Sequence, residues 1–458
     1  MKKHNFLYFA LGAAIALPAC QSDDAPARMQ GGVPVSDDVI SIHSGISSIE
    51  EGSFTQGQGP ASASRADDYN DEKYGKWVGE FTNNSGSNAL ERFVCYSFYG
   101  NQKVMDNVTM SRNKNTNQCF WTEGTWYWPM TGSLDFFAFA PYNYQVGDTY
   151  GQSTPPQTSD YHVTVENNTV KLKDFEVNNP PVADVVYAMA RNQTRNTNAG
   201  RVNLLFQHAL SRVEVYIVNK SKYCDVAFHG ADFMALRYKG TFTFPNTGTT
   251  ENADCRGSWS GLGDGLKRFN TSWLGTGYTE SPTAEYQNLY YAIAHKNNTD
   301  GEVKVLAGDR ALFLLPQPIA RWNQGDKARA DDFRDSNGND IILDAATSGY
   351  KPCLILRGYV KDTRNGVYLY NNMTGAGHDL VVPLNPNSNG AAFSWEAGKS
   401  YKYVITFGDS SSNGTDADHT LGWTDQQDNV AVSVSVKCTI QDWNKEYHWM
   451  WSDTGYRP

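Results

Sequence analysis

The chain has 458 residues, a formal net charge of −10 and a mean hydropathy of −0.54. An acidic chain is repelled by phosphate groups, so nucleic acid is not an expected partner, and a basic surface for membrane binding is excluded as well. Aromatic residues make up 13% of the chain and glycine contributes 40 residues. This composition favours short strands joined by long polar turns over helices.

The first twenty residues have the features of a secretory signal. Lys2 and Lys3 precede an apolar run from Phe6 to Ala16, which is too short to remain as a membrane-spanning helix. Leu17-Pro18-Ala19-Cys20 then resembles a bacterial lipobox, in which the bond before the cysteine is cut and Cys20 becomes an acylated N-terminus. This predicts a signal peptide at residues 1–19 and a lipid anchor in the outer membrane. The alternative is an ordinary secretory signal with a chance cysteine.

A tether, a strand and a linker are predicted next. Residues 20–38 are polar and contain Gly and Pro, which is typical of a flexible tether. Within them Asp23-Asp24 resembles a short export signal that sends lipoproteins to the outer face of the cell. Val39–Ile46 alternates apolar and polar residues, which predicts a strand with one buried face. The stretch from Gly52 to Ser64 has linker composition, so residues 39–65 form one unit of strand and linker.

Beyond the linker, short apolar or alternating runs follow one another at close spacing and are separated by turn residues. We predict strands at 93–99, 125–129, 134–141, 184–190, 202–208, 212–218, 240–245, 311–316, 353–360, 401–407 and 430–440. The run at 240–245 ends in proline and is predicted to be an edge strand. Helical periodicity is scarce, so the pattern predicts an all-β fold of antiparallel β-sandwiches. The polar stretch 191–200 is the predicted boundary between a domain at 66–198 and a domain at 199–458.

Several stretches, taken in order, resemble the fimbrillin family, the subunits and accessory proteins of fimbriae in Bacteroides-type bacteria. They are Leu134–Pro141, Asp184–Ala188, Val202–Val213, Leu314–Pro318 and Trp395–Tyr403. Ser64-Arg65-Ala66 resembles the mature start of one subgroup. The resemblance implies two tandem transthyretin-like β-sandwiches and export as a lipoprotein.

In family members that polymerise, the resemblance also implies cleavage after an arginine, here between Arg65 and Ala66. The cut would remove the leading strand, whose apolar residues are Ile40, Ile42 and Ile46, and open a groove for a strand of another subunit. A sandwich that lacks one strand exposes backbone N–H and C=O groups and an apolar slot, which an inserted strand satisfies. Arg28 is an alternative cleavage site, although a cut there leaves the leading strand attached.

Residue patterns for catalysis or metal binding are weak throughout. His208 and Ser211 lack the nucleophile-elbow pattern, and a buried histidine that is bonded to the backbone at a strand-to-turn corner is the favoured interpretation. The segment 331–340 is dense in oxygen ligands but departs from the EF-hand template, so a plain Asn-Gly turn is favoured over calcium. A similar calcium hint comes from Asp416, Asp418 and Asp425. We therefore expect no enzyme activity and no cofactor.

Six cysteines remain after Cys20, and an even number in an exported chain permits disulfides. The pairs nearest in sequence are Cys95 with Cys119 and Cys224 with Cys255. The alternative is that several of these cysteines are buried as small hydrophobic residues.

Two functions are consistent with these features. The first is a surface-exposed fimbrial subunit, or a fimbrial tip or accessory protein, that assembles with other fimbrial subunits and contributes to adhesion. The alternative is a non-polymerising, glycan-binding outer-membrane lipoprotein whose Trp449 and Trp451 stack on sugars. For Trp126 and Trp128 a core or sheet-face position is favoured. The tail after Trp443 is either a donor strand or an extension, and the adhesion partner is a host or bacterial surface protein or a glycan.

Overall fold

A computed structural model describes residues 28–47, 90, 92–112, 118–121, 125–140, 162–166, 169–177, 184–246, 256–269, 292–294, 303–305, 311–323, 325–371, 380–387, 391–408, 420–424, 429–443 and 447–449. Within these ranges the chain forms strands in four sheets and contains no α-helix, and 3-10 turns occur at Thr197–Gly200 and Ala330–Phe333. The all-β fold class predicted from the sequence is confirmed. In the same ranges no helix has the length and hydropathy needed to cross a membrane.

The strands are labelled in chain order. The first half contains β1 Met29–Gln30, β2 Val33–Val39, β3 Ser41–Ser47, β4 Arg92–Tyr99, β5 Gln102–Arg112, β6 Gln118–Trp121, β7 Tyr127–Pro129, β8 Leu134–Ala140, β9 His162–Glu166, β10 Thr169–Glu176, β11 Val186–Gln193, β12 Arg201–His208, β13 Ser211–Asn219 and β14 Cys224–Arg237. The second half contains β15 Lys239–Thr243, β16 Ser258–Ser260, β17 Gly265–Phe269, β18 Ala292–Ala294, β19 Val303–Lys304, β20 Leu312–Leu314, β21 Leu343–Asp344, β22 Cys353–Asp362, β23 Tyr368–Asn371, β24 Leu380–Pro383, β25 Lys399–Phe407, β26 Thr420–Thr424, β27 Asn429–Asp442 and β28 Tyr447–Trp449.

The first sheet closes on itself. Its strand order is β12-β11-β8-β4-β5-β6-β3-β28, and β12 also pairs with β3. All of its pairings are antiparallel except that between β3 and β12, which is parallel. A separate three-stranded sheet, β1-β2-β7, combines the two strands that precede β3 with β7, which follows it in the chain. The prediction of a flexible tether is wrong for residues 29–38, which form β1, a turn and most of β2, with Val33 and Val35 buried.

A four-stranded sheet of order β16-β15-β10-β9 packs against the first sheet through aromatic side chains. The ring centroids of Phe244 and Phe137 lie 5.7 Å apart, and those of Phe242 and Tyr187 lie 4.6 Å apart. The prediction of an edge strand at 240–245 is wrong, because β15 pairs with β10 on one side and β16 on the other. Pro245 lies beyond the end of β15 at Thr243 and therefore does not interrupt either ladder.

The second sheet contains thirteen strands, with β13 paired in parallel to β25 near one end. Val213, Val215 and Ile217 of β13 are fully buried in the main core. The chain passes from the first sheet to the second at Ala209 and Leu210, after β12 rather than before it. The division into domains at 66–198 and 199–458 stays a prediction, and β15, from the second of these ranges, pairs with β10 of the first.

Four cysteines of the described residues are thiols and form no disulfide. Cys95, Cys224 and Cys353 are buried and Cys438 is half-buried, all as thiols. The predicted pair of Cys95 and Cys119 is wrong because β5 lies between their strands, β4 and β6. Two strand spacings amount to roughly 10 Å, beyond the reach of a disulfide. The disulfide between Cys224 and Cys255 is not formed either, because Cys224 is a thiol. Cys255 itself lies outside the described residues.

Candidate functional site: the leading strand and its neighbours

The leading strand, β3, has hydrogen-bonded neighbours on both edges. Along one edge, residues 41–46 pair in parallel with residues 201–206 of β12. Along the other edge, Ile42 and His43 pair with β6, and residues 45–47 pair with β28. The strand therefore fills the position between β12 and β6 that closes the first sheet. The leading strand and the C-terminal tail of the same chain therefore pair here, because β28 belongs to that tail.

Both faces of the leading strand are covered. Ile40 and Ile42 are 2% and 0% exposed, as expected for the predicted buried face. His43 points to the opposite face and is only 2% exposed, so the prediction of a single buried face is incomplete. Ile46 lies opposite Phe206 of β12 and His448 of β28.

His43 is held in a position that disfavours its charged form. Its Nε2 lies 3.2 Å from the hydroxyl of Ser41, and its backbone is paired with Asn203 of β12. Burial and, as the smaller cause, the positive charge of Arg201 on β12 together lower the pKa of His43 from 6.5 to about 4. A neutral histidine is therefore part of the docked strand at neutral pH.

Arg28 lies ahead of β3 on the three-stranded sheet. Its guanidinium carbon stacks 4.0 Å from the ring centroid of Tyr127, and its carbonyl accepts a hydrogen bond from the amide of Val35. The side chain is about half exposed. A cut after Arg28 would leave β3 in the chain, in agreement with the expectation that cleavage there opens no groove.

Trp443 fixes the base of the C-terminal tail at the end of β12. Its ring is 0% exposed and stacks 3.5 Å from the ring of His208, the last residue of β12, with Phe313 at 5.6 Å. Nδ1 of His208 lies 2.7 Å from the carboxylate of Asp184, and both side chains are fully buried. This cluster of Asp184, His208 and Trp443 places the start of the tail beside the end of the leading strand.

Hydrogen bonds at His208 and Ser211 address the alternative of a catalytic serine–histidine pair. The Ser211 hydroxyl donates to the carbonyl of Glu396 at 2.9 Å, so serine and histidine do not form a nucleophile–base pair. The burial of His208 at a strand-to-turn corner is confirmed, and its Nδ1 is bonded to the carboxylate of Asp184, a partner that the sequence did not indicate. Sequence patterns indicated His208 but missed Asp184 and Trp443, which lie far from it along the chain.

The remaining candidates have structural roles where they could be placed. Asp335 accepts hydrogen bonds from the amides of Asn337 and Asn339, and Gly338 adopts φ +82°, which confirms the Asn-Gly turn. Trp128 is 0% exposed and packs on Phe136, as favoured from the sequence. No group of three metal-ligating side chains occurs in the described ranges.

Several predicted site residues lie outside the description of the structure. These are Cys20, Arg65, Ala66, Trp451, Asp416, Asp418 and Asp425. Trp449 is described by its backbone, which pairs with Gly45 of the leading strand.

Comparison with known proteins identifies the family of the chain. A family model described as fimbrillin-like matches residues 80–443. The chain belongs to the fimbrillin-like family. Membership implies a fimbrial or adhesive protein at the cell surface that associates with other fimbrial subunits, and it suggests a structural rather than an enzymatic role.

Solved structures of fimbrial proteins are distant in sequence. A fimbrial protein from Bacteroides vulgatus is 13% identical, with a TM-score of 0.42, and the match covers 88% of this chain and 99% of that chain. The tip fimbrial protein Mfa3 from Porphyromonas gingivalis, with a C-terminal truncation, is 11% identical, with a TM-score of 0.27 and coverage of 77% and 94%. No curated protein matches the chain.

Proposed function

We propose that this fimbrillin-like protein is a surface-exposed fimbrial subunit, or a fimbrial tip or accessory protein, that becomes competent for assembly when its leading strand is removed. It is exported as a lipoprotein acylated at Cys20 and held in the outer membrane. Cleavage between Arg65 and Ala66 then releases the lipid, the strands β1 and β2 and the leading strand together. A strand from another subunit takes the vacated place, and the assembled protein contributes to adhesion.

The observation that supports this proposal is the position of β3 between two strands of the mature chain. Its loss would leave an unpaired edge on β12 over residues 201–206 and a second edge on β6. It would also leave the space now filled by Ile40 and Ile42, which are almost completely buried. Unpaired edges beside an apolar slot are the features that an added strand satisfies.

The C-terminal tail is the donor strand that the geometry favours. β28 pairs with residues 45–47 of the leading strand, so the cut that opens the groove also removes the partner of β28. Trp443 stays fixed by His208, so the part of the tail that would change its pairing begins after residue 443.

Assembly after controlled proteolysis tests the proposal. Protein from residue 20 onward is treated with an arginine-specific protease and followed by size-exclusion chromatography and electron microscopy. We expect the wild-type chain to form oligomers and Arg65→Ala to remain monomeric, while Arg28→Ala behaves as wild type. Oligomers from Arg65→Ala, or a cut wild-type chain with an intact tail that stays monomeric, would contradict the proposal.

A further inference from the structure

The second sheet has one face that is covered at one end and open at the other. On β22, Cys353 and Ile355 lie on this face beneath Trp322, Phe333 and Tyr350. Arg357, next in the alternating series, donates to the buried carboxylate of Asp232 at 2.7 Å. Because side chains alternate along a strand, Tyr359 and Lys361 continue the same face beyond the covered part.

Three neighbouring strands place aromatic and polar residues side by side at this open end. Strand register brings Asp225 of β14 and Tyr368 of β23 to the two sides of Lys361, and Asn371 of β23 to the side of Tyr359. The amide of Thr363 donates to the carbonyl of Tyr223, which sets Tyr223 at the edge of the same face. We refer to this surface as the tyrosine ledge, formed by Tyr223, Asp225, Tyr359, Lys361, Tyr368 and Asn371.

Two rings of the ledge are exposed, the ring of Tyr359 is half-buried, and contacts with neighbouring side chains hold the rings in place. Tyr223 is 50% exposed and Tyr368 is 38% exposed. Tyr359 and Tyr368 meet edge to face, with centroids 5.4 Å apart at 87°. The Arg364 guanidinium stacks 4.3 Å from the ring of Tyr223. A ligand would therefore meet preorganised aromatic surfaces rather than mobile side chains.

The turn beside the ledge is also fixed. Both carboxylate oxygens of Asp362 accept from Arg364, at 2.7 and 3.1 Å. Gly366 adopts φ +73° in the turn between β22 and β23, a conformation that glycine adopts without strain. Val367, which follows the turn, is 52% exposed and extends the apolar surface.

We propose that the tyrosine ledge binds a neutral saccharide. A pyranose ring has one apolar face, which packs on an aromatic ring, and a rim of hydroxyl groups, which need hydrogen-bond donors and acceptors. The ledge offers both, because Tyr359 and Tyr368 adjoin the amide of Asn371 and the carboxylate of Asp225. The amino group of Lys361, 5.3 Å from the Tyr368 ring centroid, supplies a further donor.

Charge balance at the ledge favours a ligand without net charge. Lys361 lies directly across from Asp225, and Arg364 is paired with Asp362. These two cations and two carboxylates balance in charge. The ledge therefore has no excess positive charge to attract an acidic sugar and no excess negative charge to attract a basic one. The ledge lies on the second sheet, away from the strands that pair with the leading strand, so saccharide binding is independent of the proposed assembly.

Binding to an array of neutral and acidic oligosaccharides tests this inference. The uncleaved chain from residue 20 onward is used, so that a failure of assembly does not affect the result. We expect binding to neutral oligosaccharides, with affinity lowered about tenfold by Tyr368→Ala and retained by Tyr368→Phe, because the ring contact is kept. Ile342→Ala is the matched control: Ile342 lies outside the ledge, its side chain is 53% exposed, and its truncation should not change binding.

Three outcomes would overturn the inference. The first is the absence of binding to any saccharide, and the second is binding that Tyr368→Ala and Tyr359→Ala leave unchanged in folded protein. The third is binding to acidic oligosaccharides alone that is lost in about 0.5 M salt. Salt at roughly three times physiological ionic strength screens surface charges, so such binding would be electrostatic.

Discussion

Truncation of Ile42 should loosen the leading strand without weakening the rest of the molecule. Ile42 is 0% exposed and its strand is paired on both edges. Replacement of a fully buried isoleucine by alanine costs about 2–5 kcal/mol. At the lower limit this shifts the balance between docked and released strand by about 30-fold, since 1.4 kcal/mol corresponds to a factor of ten.

Amide hydrogen exchange followed by mass spectrometry measures this shift segment by segment. In Ile42→Ala we expect faster exchange over residues 41–47 and along β12, whose edge is uncovered when β3 leaves. The strands β13 and β25 of the second sheet should be unchanged. Val39→Ala is the control, because Val39 is 53% exposed in the adjoining strand and its truncation should change stability by less than about 0.5 kcal/mol. Equal acceleration in both sheets would refute the reasoning, because the strand would then be released only by global unfolding.

Four further outcomes follow from particular contacts. Since the pKa of His43 is lowered from 6.5 to about 4, strand docking should be fully stable above pH 6.5 and weaken as the pH falls toward 4; hydrogen exchange over residues 41–47 should show this, and His43→Gln should remove it. Trp443→Ala should cost about 3–5 kcal/mol in denaturant unfolding, whereas Ile440→Ala, at a half-exposed site, should cost little. Asp232→Ala should cost about 3–5 kcal/mol because it removes the buried carboxylate that pairs with Arg357 at 2.7 Å and with Arg268 at 3.5 Å, so that Asp340 alone of these carboxylates stays paired with Arg268; a smaller loss on replacing Asp232, Arg268 and Arg357 together by apolar residues would identify the uncompensated positive charge as the cause. Burial raises the pKa of the Cys438 thiol to about 12, so alkylation of Cys438 at pH 8 should be much slower in the native than in the unfolded protein, as measured by mass spectrometry; equal rates would contradict that environment.

Strands with regular alternation or continuous apolar runs could be predicted from the sequence, and β14 shows why others could not. The register of β14 shifts between Phe228 and Gly230, which moves every later side chain to the other face. Asp232 then lies in the buried part of the strand, where Arg357 neutralises it. A charged residue and a glycine within a broken alternation do not resemble a strand, although β14 is among the longest in the described chain.

The leading strand was predicted by its own alternation, but its partners were not. β12 follows it by about 160 residues, and a parallel pairing has no local turn that would indicate it. Burial of His43 could not be predicted either, because the polar side of the alternation suggested solvent. The stacking of Trp443 on His208 likewise depends on the tertiary fold, since neither residue carries a motif.

The N-terminus of the surface-exposed, assembled protein tests the central claim most directly. Mass spectrometry of fibre material, or of the chain at the cell surface, distinguishes a free N-terminal Ala66 from an acylated Cys20. The proposed removal of the leading strand predicts that assembled subunits begin at Ala66 and lack residues 39–65. Assembled subunits that begin at acylated Cys20 and retain the leading strand would contradict it.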